Sequence, residues 1–161
     1  MNVHTTVSGP LGELLLVGRP TQEGLELVSL TLPTHRWTPL DPGPRDDGPF
    51  RALREQLDAY FAGDLKEFSY TPALSGTAFQ RQVWAALDAL PYGATTTYGR
   101  LNAALGGSPA RARAVGVAIG ANPVSILRPC HRVVGSNGSL TGYAGGLDAK
   151  RALLTLEGVL L

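Results

Sequence analysis

The residues best suited to chemistry lie together in Pro129-Cys130-His131-Arg132-Val133. Cys130 is the only cysteine among 161 residues, and an imidazole follows it directly. A thiol attacks carbon well only as the thiolate. Free cysteine titrates at roughly 8.5, so a nucleophile working at neutral pH needs a base or a positive charge nearby. His131, Arg128 and Arg132 are the local candidates. Pro129 fixes its own backbone angle and disfavours the helical region for Arg128, which predicts a stiff, extended approach to Cys130. The plain alternative for a lone cysteine is a small buried hydrophobe, and its surroundings argue against that.

Composition narrows the field. A length of 161 residues suits one domain or two small ones, and 43% apolar residues are enough for a core. No apolar run is long enough to cross a bilayer, so no membrane partner is expected. The N-terminus lacks the charged start and apolar core of a signal peptide. One cysteine can form no internal disulfide and no zinc site of several thiolates; it fits a reducing, cytoplasmic setting. His4 and His35 have no ligand partners at metal-site spacing and read as ordinary residues. The net charge of +1 hides an asymmetry. Residues 1–88 carry 7 basic and 11 acidic side chains, a balance of −4, while residues 89–161 carry 7 basic and 2 acidic, a balance of +5. No acid lies between Asp88 and Asp148, whereas Arg100, Arg111, Arg113, Arg128 and Arg132 do. Such a bias points to a polyanion, of which nucleic acid is the commonest.

The elements that must position these residues can be read from patterning. Residues 3–8, 12–18 and 25–32 are short and β-rich, separated by turns, and predict an antiparallel meander. Residues 33–49, rich in proline, glycine and aspartate, read as a loop. Phe50, Leu53, Leu57, Tyr60 and Phe61 recur at helical spacing, and Gly63 stops them. Thr77 and Gln80 have capping-box spacing ahead of Phe79, Val83, Leu87 and Leu90. A helix should run from Tyr98 to Leu105 and stop at Gly106-Gly107. Ser108 should cap the next, with Pro109 in its first turn and Ala110–Ile119 as its body. Two short helices across a glycine turn make a helix-turn-helix candidate. The second is nearly all small residues plus Arg111 and Arg113, which a core would not welcome unpaired, so DNA contact is favoured. Residues 124–128 should run extended into Cys130. Val133-Val134 reads as a strand before the tight turn Gly135–Gly138, and a last helix covers about Leu147 to Glu157. The fold class is α+β. Residues 1–75 form an N-terminal sheet-and-helix scaffold domain, and residues 76–161 form a mostly helical domain with the helix-turn-helix and the cysteine.

The segments TYGRLNAALG, ARAVGVAIGANP, ILRPCHRVVGSNGSLTGYAGGL and KRALLTLEG resemble, in order and spacing, the O6-alkylguanine-DNA alkyltransferases. The close resemblance covers about Phe79 to Gly158; the first half matches only in its RNase H-like layout. The resemblance implies a direct-reversal DNA repair protein that flips an O6-alkylated guanine out of double-stranded DNA, from the minor groove, and moves the alkyl group to a cysteine. It makes Cys130 the acceptor. His131 is then the base acting through a bridging water, and Glu157 the acid that orients and charges the imidazole. Asn122 secures the turn between recognition helix and cysteine segment. Tyr98 is the phenol that rotates the target phosphate and protonates the guanine ring. Arg113 is the finger that fills the vacated base stack. The main chain of Cys130 and Val133 meets the base, Tyr143 lines the pocket, and Lys150 matches a pocket-side lysine. Ser108 and Ser136 match backbone contacts. Some relatives have serine where this chain has Ala144; a main-chain contact there to the base oxygen survives the change. The cysteines of a zinc site found in some relatives are missing, so neither metal nor cofactor is expected, and the protein is expected to act as a monomer. A sister group that binds lesions without repairing them has tryptophan at the cysteine position, which Cys130 argues against.

The chemistry explains the residue types. Displacement at an sp³ carbon suits a polarisable sulfur, and a histidine backed by a carboxylate generates thiolate. The thioether product cannot be hydrolysed, and no second cysteine can resolve it, so the protein should act once. Extruding a base costs a few kcal/mol, which a stacking side chain partly offsets. Two rivals remain. A cysteine hydrolase also needs Cys, His and an acid, but its histidine is generally distant in sequence. A non-catalytic helix-turn-helix protein that binds DNA or a lesion has no use for an activated thiol.

Overall fold

Alternating apolar and polar residues lay down the first strands, with every second side chain turned to one face. The computed structural model describes residues 1–35 and 41–160. Within them, β1 (Val3–Gly9), β2 (Gly12–Thr21) and β3 (Gly24–Thr31) form the expected antiparallel meander. A two-residue strand, β4 (Thr71–Pro72), adds in parallel to β3, giving the order β1-β2-β3-β4. Two residues are too few to show alternation, so the sequence does not announce β4. After the tight turn Gly48–Phe50, α1 (Arg51–Phe61) buries Leu53, Leu57 and Tyr60. The loop expected over 33–49 includes residues 36–40, which lie outside the described residues. The His4 ring bonds through Nδ1 to the Gly43 carbonyl (2.8 Å), and the Leu32 amide donates to His35 Nδ1 (3.0 Å).

The described residues group into two compact units. Met1–Leu74 is joined in the first by Pro123–Leu127, distant in sequence. There Val124 bridges to Leu30, and the Leu30 amide donates to the Pro123 carbonyl (2.9 Å). This segment corrects the expectation of an extended run into the cysteine. The Leu127 amide donates back to Ser125, and Ile126 takes a φ of 75°. A β-branched residue pays for that region in strain; the return is burial of Ile126 and Leu127, which are 1% and 6% exposed.

The second unit comprises Ser75–Asn122 and Arg128–Leu161. Helix α2 (Ala78–Asp88) starts at the expected capping box, Thr77 accepting from the Gln80 amide and Gln80 from the Thr77 amide. Helix α3 (Tyr98–Ala104) follows β5 (Thr96–Thr97). Gly106, at φ 73°, turns the chain towards α4 (Ala112–Gly120). Here the expectation needs correcting. Ser108 makes no side-chain cap, and Pro109–Arg111 forms a separate 3₁₀ turn before the α-helix. The Asn102 side-chain amide donates to the Ser108 carbonyl (2.8 Å), which also accepts from the Arg111 amide (2.9 Å), so the turn is held from α3 as well. Val83, Trp84, Leu87, Leu101, Val115, Ala118 and Ile119 form one core that also contains Cys130 and Val133. Trp84 Nε1 donates to the Ala118 carbonyl (2.9 Å), locking α2 against α4. Val133–Val134, β6, pairs in parallel with β5, and α5 (Leu147–Leu156) closes the unit.

Candidate active site

Cys130, His131 and Arg132 form one 3₁₀ turn leading into β6. The turn follows from Pro129, whose carbonyl accepts from the Arg132 amide (3.1 Å). It corrects the extended approach read from the proline, because one tight turn places three consecutive side chains on different partners. Cys130 is 6% exposed and His131 fully buried. Glu157, the residue that ends α5, points its carboxylate at that turn. The Glu157 Oε2 atom lies 2.7 Å from His131 Nε2. Arg132 grips the same carboxylate with two donors, Nε to Oε1 (2.8 Å) and Nη2 to Oε2 (3.0 Å). A carboxylate so gripped accepts, so His131 carries its proton on Nε2. The lone pair is then on Nδ1, a buried atom with no hydrogen-bond partner among the described residues.

The electrostatics correct one expectation. Arg132 does not act on the thiol, and Arg128 does so only as a minor opposing charge. Arg128 pairs with Asp88 (3.1 Å) over the Trp84 ring, and Arg132 is spent on Glu157. Burial pushes the Cys130 thiol up, against smaller opposing effects of the Asn122 side chain and the Lys150 charge. Burial likewise lowers His131, and the Glu157 hydrogen bond and charge oppose it. The resting pair is a neutral thiol and a neutral imidazole. Thiolate forms when the proton has an acceptor and the charge has Lys150 and Asn122 to meet it.

Lys150 is fully buried. Its three protons go to three carbonyls, Val133 (2.6 Å), Thr141 (2.9 Å) and Gly142 (3.1 Å). It thereby ties β6 to the loop before α5. The Tyr98 hydroxyl also donates to Thr141 (2.9 Å), and the Lys150 ammonium sits 5.9 Å from the Tyr98 ring centre. Asn122 Nδ2 donates to the Arg128 carbonyl (3.0 Å), closing the chain's excursion just before the cysteine. No group of three or more His, Cys, Asp or Glu side chains among the described residues is placed to share a metal ion.

Family models match this chain over both units. The 6-O-methylguanine DNA methyltransferase DNA-binding domain matches residues 78–159, and the ribonuclease-like domain of the same proteins matches residues 2–73. This chain belongs to the 6-O-methylguanine DNA methyltransferase family. A methylated-DNA–protein-cysteine methyltransferase of Mycolicibacterium paratuberculosis is 48% identical over 157 residues, covering 96% of this chain and 91% of that protein. One from Methanosarcina acetivorans is 47% identical over 155 residues, covering 96% and 97%. The crystal structure of the Mycobacterium tuberculosis O6-methylguanine methyltransferase aligns with a TM-score of 0.87 at 45% identity, over 98% of this chain and 93% of that one. A complex of Mycobacterium tuberculosis OGT with DNA aligns with the same score at 44% identity, over 96% and 92%.

The candidate site therefore has a buried part and an outer part. Cys130, His131, Glu157, Asn122, Val133 and Lys150 are buried, and Tyr98, Tyr143 and Ala144 are partly so. Tyr143 packs on the core cluster that holds Cys130 and Val133. Arg113 and Ser108 are exposed on the second helix and its lead-in, and Ser136 is exposed on the turn after β6. These three take no part in the buried network. Sequence reasoning missed Arg132 as the clamp on Glu157, Thr141 as the shared acceptor, and Asn102 as the latch of the helix-turn-helix. Arg132 stood inside the motif, but an arginine in a basic segment reads first as a DNA contact. Thr141 acts through its carbonyl, which carries no side-chain signal.

Proposed function

We propose that this chain repairs O6-alkylguanine in double-stranded DNA by direct reversal, taking the alkyl group irreversibly onto Cys130, once per molecule. The observation that carries this reading is the Cys130-His131-Glu157 arrangement, with Nε2 of the imidazole on the carboxylate and Nδ1 left as acceptor. The Cys130 S–H proton passes through one bridging water to His131 Nδ1. The imidazolium so formed is held by Glu157. Sulfur attacks the alkyl carbon, the carbon–oxygen bond breaks, and its electron pair stays on the guanine. Tyr98 turns its hydroxyl from the Thr141 carbonyl to give a proton to the guanine ring, which improves a poor leaving group, and the phenolate regains a proton through water as the imidazolium gives one up. Lys150 meets the transient thiolate charge and holds the loop of Tyr143 and Ala144, which lines the base pocket with Val133.

The base arrives by extrusion through the minor groove, with Arg113 stacking in the gap and Ser108 and Ser136 on the phosphates. Exposed Arg113 on a helix of small residues, and exposed Arg111 on the turn that leads into it, support that docking. The protein works as a cytoplasmic monomer, since the reaction needs one reduced thiol and one base.

Incubation with an excess of a duplex containing O6-methylguanine tests the reading by intact mass and peptide mapping. One methyl group per chain, on Cys130, is expected, with no further turnover and none on Cys130→Ser. A non-catalytic lesion binder predicts no added mass; repeated turnover would point to a hydrolase.

A further inference from the structure

Resting on the alkyl-transfer reading above, we propose that Arg132 is a positioning residue that keeps Nδ1 of His131 free to accept the thiol proton, by dividing the Glu157 carboxylate between itself and the imidazole. Arg132 is buried, on the same turn as the nucleophile. Its third donor, Nη1, goes to the Leu90 carbonyl (2.6 Å), and its guanidinium lies 5.7 Å from the centre of the Tyr92 ring. The fork is therefore anchored from behind as well as in front. Oε2 of Glu157 receives two donors, Nη2 of Arg132 and Nε2 of His131. The charged groups acting on the imidazole are Glu157, Arg132 and Lys150, and Cys130 precedes it on the same turn. Of the three charges acting on it, only that of Glu157 favours the imidazolium, while Arg132 and Lys150 oppose it.

Without the guanidinium, a buried carboxylate would face the imidazole with its charge undivided, and the pair would take up a proton more readily. Both places for that proton block the base. On the imidazole, it occupies Nδ1 directly. On Glu157, the acid donates to Nε2, and the ring keeps its remaining hydrogen on Nδ1. In either state the thiol has no acceptor, so loss of Arg132 raises the pH below which the proton path is closed, without touching substrate.

The test is the pH profile of single-turnover benzyl transfer from free O6-benzylguanine, which needs no DNA binding. The parent rate should fall on the acid side as the His131–Glu157 pair takes up its proton. In Arg132→Met that limb should move up by about one pH unit, an about tenfold loss of rate at a pH on the limb. Arg132→Lys, which keeps the charge but not the fork, should return most of the shift. Nitrogen NMR of the His131 ring should show the lone-pair signal of Nδ1 persisting to lower pH in the parent than in Arg132→Met, the offset matching that of the two rate limbs. A uniformly slower profile with its limb unmoved in both variants would overturn the proposal and leave Arg132 a structural clamp. Should Arg132→Met not fold, Arg132→Lys decides alone: a small upward shift supports the proposal, and an unmoved limb overturns it. A parent that transfers neither a benzyl group from the free base nor a methyl group from a duplex containing O6-methylguanine to Cys130 at any pH would instead sink the repair reading.

Discussion

Lys150 shows how far one side chain's surroundings can set its chemistry. A buried ammonium must have its three donors satisfied, and here three carbonyls do so. Burial lowers its titration from 10.5 to about 8, opposed by the Cys130 charge. Between about pH 8 and 10.5 the unfolded chain holds a proton that the folded chain has released. Stability from this group therefore rises with pH through that window, and below it both states are protonated and the gain is gone. Lys150→Met removes the titration. The parent-minus-variant difference in unfolding free energy should climb across the window by on the order of 3 kcal/mol, read from urea melts at several pH values. A difference flat with pH would show that the ammonium is not desolvated as described.

The helix-turn-helix depends on a small latch. The Gly107 amide donates to the Asn102 carbonyl (2.9 Å), and the Asn102 side chain holds Ser108. A Cβ on Gly107 would run into the Asn102 side-chain oxygen and come within 2.9 Å of its Cγ and 3.2 Å of its carbonyl oxygen. The Asn102 side chain cannot yield there without loosening its hold on the Ser108 carbonyl. Gly107→Ala should cost about 1–3 kcal/mol of stability. It should weaken duplex binding more than benzyl transfer from the free base, because the latch orients α4 rather than the thiol. Unchanged melting together with unchanged DNA affinity would refute this account of the turn.

For the molecule as a whole, the charge balance of +5 in residues 89–161 sets the terms of DNA association. Binding that neutralises phosphates releases counterions, so affinity should fall steeply with salt and vary little with sequence. Arg113→Ala should cut transfer from a duplex lesion about tenfold while leaving the free-base reaction within about twofold, since its proposed work is to fill the emptied stack. Equal effects on both substrates would remove Arg113 from that role.

Much of this was legible in the amino-acid order. The meander, the capping box at Thr77 and the short helices follow from local patterning, which needs no knowledge of distant residues. Cys130 and His131 are adjacent in sequence, and Glu157 was reached through the family resemblance of its segment. Elsewhere distant contacts outweighed local preference. Pro129 predicted an extended lead-in, but burial of Ile126 and Leu127 turned the chain instead. Ser108 had the type of a cap, yet its side chain caps nothing, its carbonyl is held from α3 by Asn102, and the α-helix began one 3₁₀ turn later. The arginines beside the thiol looked like its activators; each also found an acid, and of the two only the Arg128 charge helps lower the thiol. Residue types and spacing determined which groups could react, because reactivity is intrinsic to a side chain. Only the tertiary structure decided which nitrogen of His131 is free and where each buried charge is answered, because those depend on partners up to 42 positions away.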